Sequence, residues 1–230
     1  ISEKQTAGVI FSNSADQVDL FHAALRFLKP HDISLHIWSE WEHSPFSPVS
    51  SSILQKIDRL NTLHALLHSD LPCIIFCTPE SWIQPTAPRE EWNHHVFPIE
   101  LGIDLVSRDS VREKLVTLGY VKSELVEEPG QFSIRGEIVD VFIPTEDFPI
   151  RIELFDTIVE KIRFFHPETQ RTIREIEKDS GIKSSILITP AEEIIFPWNK
   201  TGEVLEKIKS DCDSRSISRK IRDPVFESIR

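Results

Sequence analysis

Hydrophobic and polar positions along the first part of the chain follow two alternating patterns. Short apolar runs such as "AGVIF", "ISLHIW" and "PCIIFC" have the length of strands and no polar alternation. Between them, "ADQVDLFHAALRFL" and "ILQKIDRLNTLHALLH" repeat apolar residues at helical spacing. Apolar strands that alternate with helices predict a parallel sheet covered on both sides. Residues 1–96 are therefore expected to form an α/β domain.

Each of these two helices is expected to turn one apolar face toward the sheet. In the first helix that face consists of Val18, Phe21, Leu25 and Leu28. In the second helix it consists of Ile53, Ile57, Leu60, Leu63 and Leu67. The strand "AGVIF" before the first helix is expected to be buried as well.

The pattern changes near Phe97, after which short strands follow a single helix. "SRDSVREKLVTLGY" is typical of a helix that begins at a Ser107 cap and ends at Gly119. Strands are predicted at Gln131–Phe142, Ile150–Phe155 and Val159–Phe165. Because the connections between them are short, these strands predict an antiparallel sheet. Residues 97–190 are therefore expected to form a small α+β domain.

Two of these strands carry side chains that a sheet core does not explain. In the first, the apolar alternation changes phase at Gly136, which predicts a β-bulge that re-aims Arg135. In "IRIELF" the isoleucines and the leucine face the core, so Arg151, Glu153 and Phe155 share the opposite face. In one interpretation a second layer buries Phe155 and the arginines pair with nearby acids. In the other these residues form a recognition patch, since arginine and aromatic rings are enriched where partners bind. The residue pattern alone weighs the two equally.

Composition narrows the range of partners and compartments. The net charge is −11, with an excess of acids in residues 1–96 and 97–190 and a balance in 191–230. The chain therefore lacks the overall basic character that favours binding to nucleic-acid phosphates. Its three cysteines fit a reducing cytoplasm better than a disulfide framework. No apolar run has the length of a membrane span and no leader is recognisable, so a cytoplasmic location is expected.

Nucleotide chemistry has no recognisable motif in this sequence. Neither G-x-x-x-x-G-K-[ST] nor G-x-G-x-x-G occurs, and the chain has only 7 glycines. The first segment is therefore interpreted as a nucleotide-fold scaffold without ATPase activity, and no cofactor is expected.

Other candidate chemistry is weaker. Cys73 and Cys77 lack the C-x-x-C spacing and are expected to be core residues. His64 and His68 have the spacing of a two-histidine metal pair without an evident third ligand. The carboxylates of Asp140 and Glu153 lie on neighbouring predicted strands, as in metal-dependent nucleases, but the lysine expected two residues after the glutamate is replaced by a phenylalanine.

Several segments together resemble a known family. "LGYVKSELVEEPGQFSIRGEIVDVFIP", "PIRIELF", "IRFFHPETQRTI" and "ILITPAEE" are similar to the region that bacterial transcription-repair coupling factors share with the excision-repair protein UvrB. "WSEWEHSPFSP", "DRLNTLHAL", "CTPESWIQ" and "LVSRDSVREKL" resemble the amino-terminal region of the coupling factors, whereas UvrB would carry a phosphate loop. The resemblance implies a degenerate helicase-like (RecA-like) first domain and a second domain like domain 2 of UvrB.

The resemblance also implies a partner and a site. In the family, the second domain docks on the damage-recognition ATPase UvrA, and the family's contact residues match Arg135, Arg151 and Phe155. The resemblance further implies that the family's own carboxyl-terminal domain can mask this face and that other domains bind RNA polymerase and DNA. Glu137 and His166 depart from the family pattern, which leaves the turn geometry and the contact partners open.

Two functional hypotheses follow from these observations. The first is an adaptor that recruits UvrA to stalled RNA polymerase, in which residues 191–230 return to pack on the first domain. Because the Arg151 side chain is predicted to face outward, Arg151→Ala is expected to weaken binding and to leave the fold intact. The alternative is a nucleic-acid-binding fragment of a UvrB-like repair helicase. Its basic patch would consist of Lys161, Arg163, Arg171 and Arg174.

Overall fold

The computed structural model describes residues 7–28, 32–41, 52–103, 107–177, 185–195 and 201–229. These residues form helices and three sheets of the α/β class, one sheet parallel, one antiparallel and one mixed. None of the described helices has the length and apolar character needed to cross a membrane.

The first unit is a three-stranded parallel sheet with helices on it. Its elements are β1 (Ala7–Phe11), α1 (Ala15–Leu28), β2 (Ser34–Trp38), α2 (Ile53–His68) and β3 (Cys73–Cys77). The strand order is β1-β3-β2, so the chain first crosses over β3 and then returns to it. Because parallel crossovers are right-handed, α1 and α2 lie on opposite faces of the sheet. The predicted parallel sheet is confirmed, with β3 as its buried central strand.

Burial predictions fail in β1, α1 and α2, and in α2 the exposed residue is Ile53. Strand β1 is largely exposed because it is an edge strand, and Phe11 is about half accessible. In α1, Val18 is buried as expected, but Phe21 and Leu28 are exposed. The helix packs against β2 and β3 and covers only a narrow strip of the sheet.

The link to the second unit contains two short helices and a small sheet. Helices α3 (Pro79–Trp82) and α4 (Arg89–His94) precede β4 (Phe97–Glu100). Strand β4 pairs antiparallel with β11 (Ser185–Ile188), which lies far along the chain. Helix α5 (Arg108–Thr117) then begins at the predicted Ser107 cap, whose hydroxyl accepts from the Ser110 N–H. It ends before Gly119, which has a positive φ of 86°.

The second unit is a six-stranded sheet with its core on one face. Its strands are β5 (Val121–Lys122), β6 (Gln131–Arg135), β7 (Ile138–Val141), β8 (Ile150–Phe155), β9 (Ile158–Phe165) and β10 (Thr172–Glu175). They follow one another in the order β10-β9-β8-β7-β6-β5 and are antiparallel except for β5 and β6. The inner face packs with α5 and the β4–β11 pair into the largest hydrophobic core.

The predicted strand Gln131–Phe142 is instead a hairpin. Arg135 pairs with Ile138 across a two-residue turn at Gly136 and Glu137, and Gly136 has a φ of 58°. The predicted β-bulge at Gly136 is therefore wrong. A two-residue hairpin turn reverses the chain and resets the alternation, so it produces the same phase change in the sequence as a bulge.

The chain continues into two helices, α6 (Thr201–Ser214) and α7 (Arg219–Ile229). Their buried side chains Leu205, Cys212 and Phe226 form a separate small cluster. Just before them, Glu192 and Glu193 contact α2 of the first unit through Lys56 and Arg59.

Candidate partner-binding face

The outer face of the six-stranded sheet contains a buried carboxylate shared by two arginines. Asp140 is only 1% exposed. The Nε and Nη2 atoms of Arg151 donate to its Oδ1 and Oδ2 at 2.7 and 2.9 Å. Arg135 Nη2 donates to Oδ2 at 2.8 Å. A carboxylate buried at this depth requires such charge-assisted hydrogen bonds. The hydrogen bond and the charge of Asp140 raise the pKa of Arg151.

Strand register explains why these groups meet. Asp140 on β7 lies directly opposite Arg151 on β8, so both side chains point to the same face. The guanidinium of Arg151 also lies 4.6 Å from the centroid of the Phe165 ring. Its Nη2 donates to the side-chain oxygen of Gln170 at 3.2 Å. Arg151 is thus held on several sides, which gives it one fixed orientation.

Arg151 lies on the outer face as predicted, but it is less accessible there than Arg135. Its side chain is only 20% exposed, whereas that of Arg135 is 48% exposed. Arg151→Ala would leave Asp140 buried with Arg135 as its one remaining partner, so we expect the substitution to cost stability as well as binding. Arg135 lies at the end of β6, where the turn is held by Arg108, which donates to the Gly136 carbonyl at 2.7 Å. Arg135 is therefore the arginine that offers free surface to a partner.

Phe155 lies on this face at the end of β8, and 72% of it is exposed. The two-residue turn that follows places Asp156 at a φ of 58° and returns the chain into β9. No second layer buries this ring among the described residues. Each of the two interpretations of the outer-face residues thus holds in part. The arginines pair with an acid, as the first interpretation expects, whereas the Phe155 ring stays exposed, as the second expects.

A second charged cluster occupies the neighbouring strands. Arg163 on β9 donates to Glu153 at 2.8 Å and to Glu175 at 2.9 Å. Arg174 stacks on the Phe164 ring at 3.7 Å. Two of the four side chains in the alternative basic patch are therefore already engaged by acids or aromatic rings. Both nuclease-like carboxylates are engaged as well. Asp140 pairs with Arg135 and Arg151, and Glu153 pairs with Arg163.

The sequence analysis missed a buried ion pair that joins the two units. Arg59 on α2 is fully buried, and its Nε and Nη2 atoms donate to the Glu193 carboxylate at 2.5 and 2.9 Å. Its guanidinium lies 3.7 Å from the centroid of the Trp38 ring and 5.2 Å from that of Trp41. The indole N–H of Trp41 donates to Glu193 at 3.1 Å. No local signal in the sequence marks this pair, because Arg59 follows Asp58 in a mixed polar and apolar helix and its partner lies 134 residues away.

The remaining candidate residues are mainly structural. Cys73 and Cys77 are buried free thiols in β3, as predicted, and burial raises the pKa of each. The rings of His64 and His68 are 5.3 Å apart, and burial together with the charge of His68 lowers the pKa of His64 to about 4. Among the described residues, no three histidine, cysteine or acidic side chains are grouped so that they could hold a metal ion.

Comparison with known proteins places these features in a family. The UvrB interaction domain family matches residues 99–193. The transcription-repair-coupling factor of Bacillus subtilis is 35% identical over 156 residues, which cover 67% of this chain and 12% of that protein. The transcription-repair-coupling factor of Staphylococcus aureus (strain Mu50) is 33% identical over 227 residues, covering 96% of this chain and 18% of that protein. That of Staphylococcus haemolyticus is 34% identical over 189 residues, covering 80% and 14%.

The chain spans less than a fifth of the length of these relatives. The matched interaction domain contains the whole six-stranded sheet and its outer face. The chain thus belongs to the transcription-repair-coupling factor family, in which it corresponds to an amino-terminal region that carries a UvrB interaction domain.

Proposed function

We propose that this chain is an adaptor module that docks a UvrA-like protein on the outer face of its six-stranded sheet. The observation that carries the proposal is the cluster of Arg135 and Arg151 around Asp140, on the same face as the exposed Phe155 ring. An exposed aromatic ring near arginines is the composition of a binding hot spot. The match to the UvrB interaction domain supports the same partner class.

The three residues are expected to contribute differently. Phe155 is the apolar anchor, because most of its surface becomes buried only when a partner is bound. Arg135 meets an acidic group of the partner, since half of its side chain is accessible and guanidinium groups bind carboxylates with two hydrogen bonds. Arg151 supports Arg135 by sharing the charge of Asp140.

The test is calorimetric titration of the chain into purified UvrA from the same source. Phe155→Ala and Arg135→Ala are each expected to cost more than about 1 kcal/mol of binding free energy. Arg112→Ala is the matched control for Arg135, because Arg112 is 49% exposed and pairs with a single aspartate on α5. Phe27→Ala is the control for Phe155, since Phe27 is an exposed ring on α1. Equal losses in the controls and the test variants would refute the proposed face.

Within the complete factor, this module is proposed to bring UvrA to stalled RNA polymerase. In this proposal other domains contact RNA polymerase and DNA. The carboxyl-terminal domain covers the docking face before UvrA binds. The proposal predicts that the full-length factor binds UvrA more weakly than this chain does. The chain itself is proposed to lack ATPase activity, because its sequence has no phosphate-binding loop. Measurable ATP hydrolysis by the purified chain would contradict that assignment.

The proposed domains are a degenerate helicase-like unit at residues 1–96, the UvrA-binding unit at 97–190 and a return segment at 191–230. The contact of Glu192 and Glu193 with α2 supports the return of the chain to the first unit. The parallel strand order with a helix between successive strands supports a nucleotide-type fold for the first unit.

Direct nucleic-acid binding is the alternative. The net charge of −11 and the engagement of Arg163 by two glutamates disfavour it. Salt-dependent binding of the isolated chain to a DNA duplex, in the absence of UvrA, would favour it over the adaptor.

A further inference from the structure

A groove opens beside Phe155 at the end of the six-stranded sheet. It has a volume of about 500 Å³ and lies between the β8–β9 hairpin, the end of β4 and the end of β10. Its apolar walls are formed by Leu101, Phe155, Ile158, Val159 and Ile176. Phe155 and Ile158 are both exposed, so the groove presents apolar surface directly next to the proposed anchor ring.

Backbone hydrogen bonds hold the walls of this groove in place. The Gly102 N–H donates to the Val159 carbonyl at 2.8 Å, and the Val159 N–H donates to the Ile103 carbonyl at 3.1 Å. On the opposite wall, the Ile176 N–H donates to the Ile162 carbonyl at 2.9 Å. A partner that enters a preformed groove loses little free energy to ordering it.

The rim of the groove is acidic. Glu160, Glu175 and Glu177 line it, and no lysine or arginine does so among the described residues. Glu175 accepts a hydrogen bond from Arg163, whose positive charge offsets that of the carboxylate, whereas Glu160 is exposed on β9. Across the strand order, Arg135 lies on β6 and the acidic groove lies beside β9 and β10, with Phe155 on β8 between them.

We propose that the groove binds a segment of the UvrA-like partner in which an apolar side chain is flanked by a lysine or arginine. The apolar side chain packs against Ile158 and Phe155. The basic side chain lays its aliphatic stem on the groove wall and brings its charge to Glu160. This inference rests on the proposed docking function and adds an orientation to it. The partner presents an acidic group to Arg135 and a basic group to the groove.

The test compares affinities for purified UvrA among variants of the whole chain. Glu160→Lys is expected to weaken binding at least about tenfold, because it places like charges together in the interface. Ile158→Ser is expected to weaken it by a similar factor through loss of apolar contact. Both side chains are exposed, and thermal melts verify that the variants fold. Glu227→Lys on α7 is the control with the same change of charge, and it is expected to bind like the unmodified chain.

The outcomes separate the two proposals. If Glu160→Lys and Ile158→Ser bind like the unmodified chain while Phe155→Ala and Arg135→Ala lose binding, the groove has no role and the docking function stands. If Glu227→Lys weakens binding as much as Glu160→Lys, overall charge and not the groove accounts for the loss, which also overturns the inference. If the unmodified chain does not bind UvrA, the docking function fails and the groove proposal fails with it.

Discussion

Replacing Arg59 by alanine is expected to destabilise the chain strongly, because it breaks the ion pair between the two units. The variant would leave the Glu193 carboxylate 1% exposed, with the indole N–H of Trp41 as its remaining side-chain donor. Breaking a buried ion pair by removing one partner costs about 3–5 kcal/mol. For a chain of this size, 1 kcal/mol lowers the melting temperature by about 2–4 °C, so the expected shift is about 6–20 °C.

A neighbouring pair on the same helix provides the control. Lys56 pairs with Glu192, but the two side chains are 21% and 40% exposed. Lys56→Ala is therefore expected to cost no more than about 1 kcal/mol. Unfolding in guanidinium chloride, followed by far-ultraviolet circular dichroism, measures both variants. The double variant Arg59→Met/Glu193→Met is expected to recover much of the loss, because it leaves no unpaired buried charge.

One result would refute this reasoning. If Arg59→Ala is no more destabilising than Lys56→Ala, the Arg59–Glu193 pair is not buried in solution as it is in the structure. The contact between the two units would then have to rest on other interactions.

Three further predictions follow from the structure. Asp140→Asn is expected to weaken UvrA binding, since the two arginines lose the charge that positions them. Calorimetric titration tests this, and an unchanged affinity would contradict it. Because burial lowers the pKa of His64 to about 4, the unfolded chain binds the proton more readily, so stability is expected to fall as the pH drops from about 6.5 toward 4. Denaturation at several pH values, with His64→Gln as the comparison, measures that dependence, and an identical pH profile in both proteins would refute it. Gly119→Ala is expected to lower the melting temperature more than Gly136→Ala does. Both glycines have a positive φ, but only at Gly119 would an added Cβ lie 2.5 Å from a side-chain atom of Glu192. Equal melting temperatures of the two variants would contradict this.

Local patterns in the sequence predicted the elements whose boundaries depend on neighbouring residues. The Ser107 cap and the end of α5 near Gly119 are of this kind. Each depends on hydrogen bonds or backbone angles within a few residues. The hairpin at Gly136 was mistaken for a bulge because both change the phase of the alternation, and only strand pairing distinguishes them.

Contacts between residues far apart in the sequence could not be predicted from such local patterns. The exposure of β1 depends on the strand order, which places it at the edge of the sheet. The pairing of Arg59 with Glu193 spans 134 residues. In the candidate site, the alternation of the sequence placed Arg151 and Phe155 on the outer face. It did not reveal that Arg151 forms an ion pair with Asp140. Register across three strands, β6 to β8, decides that contact.

The aromatic rings around Arg59 have a consequence for spectroscopy. Of the 5 tryptophans in the chain, none lies in the interaction domain at residues 99–193, whereas Trp38 and Trp41 lie beside the contact between the two units. Intrinsic tryptophan emission from this chain is therefore blind to the docking face and sensitive to separation of the units. Loss of the Arg59 contact is therefore expected to change the emission of Trp38 and Trp41, which makes these two indoles reporters of that contact.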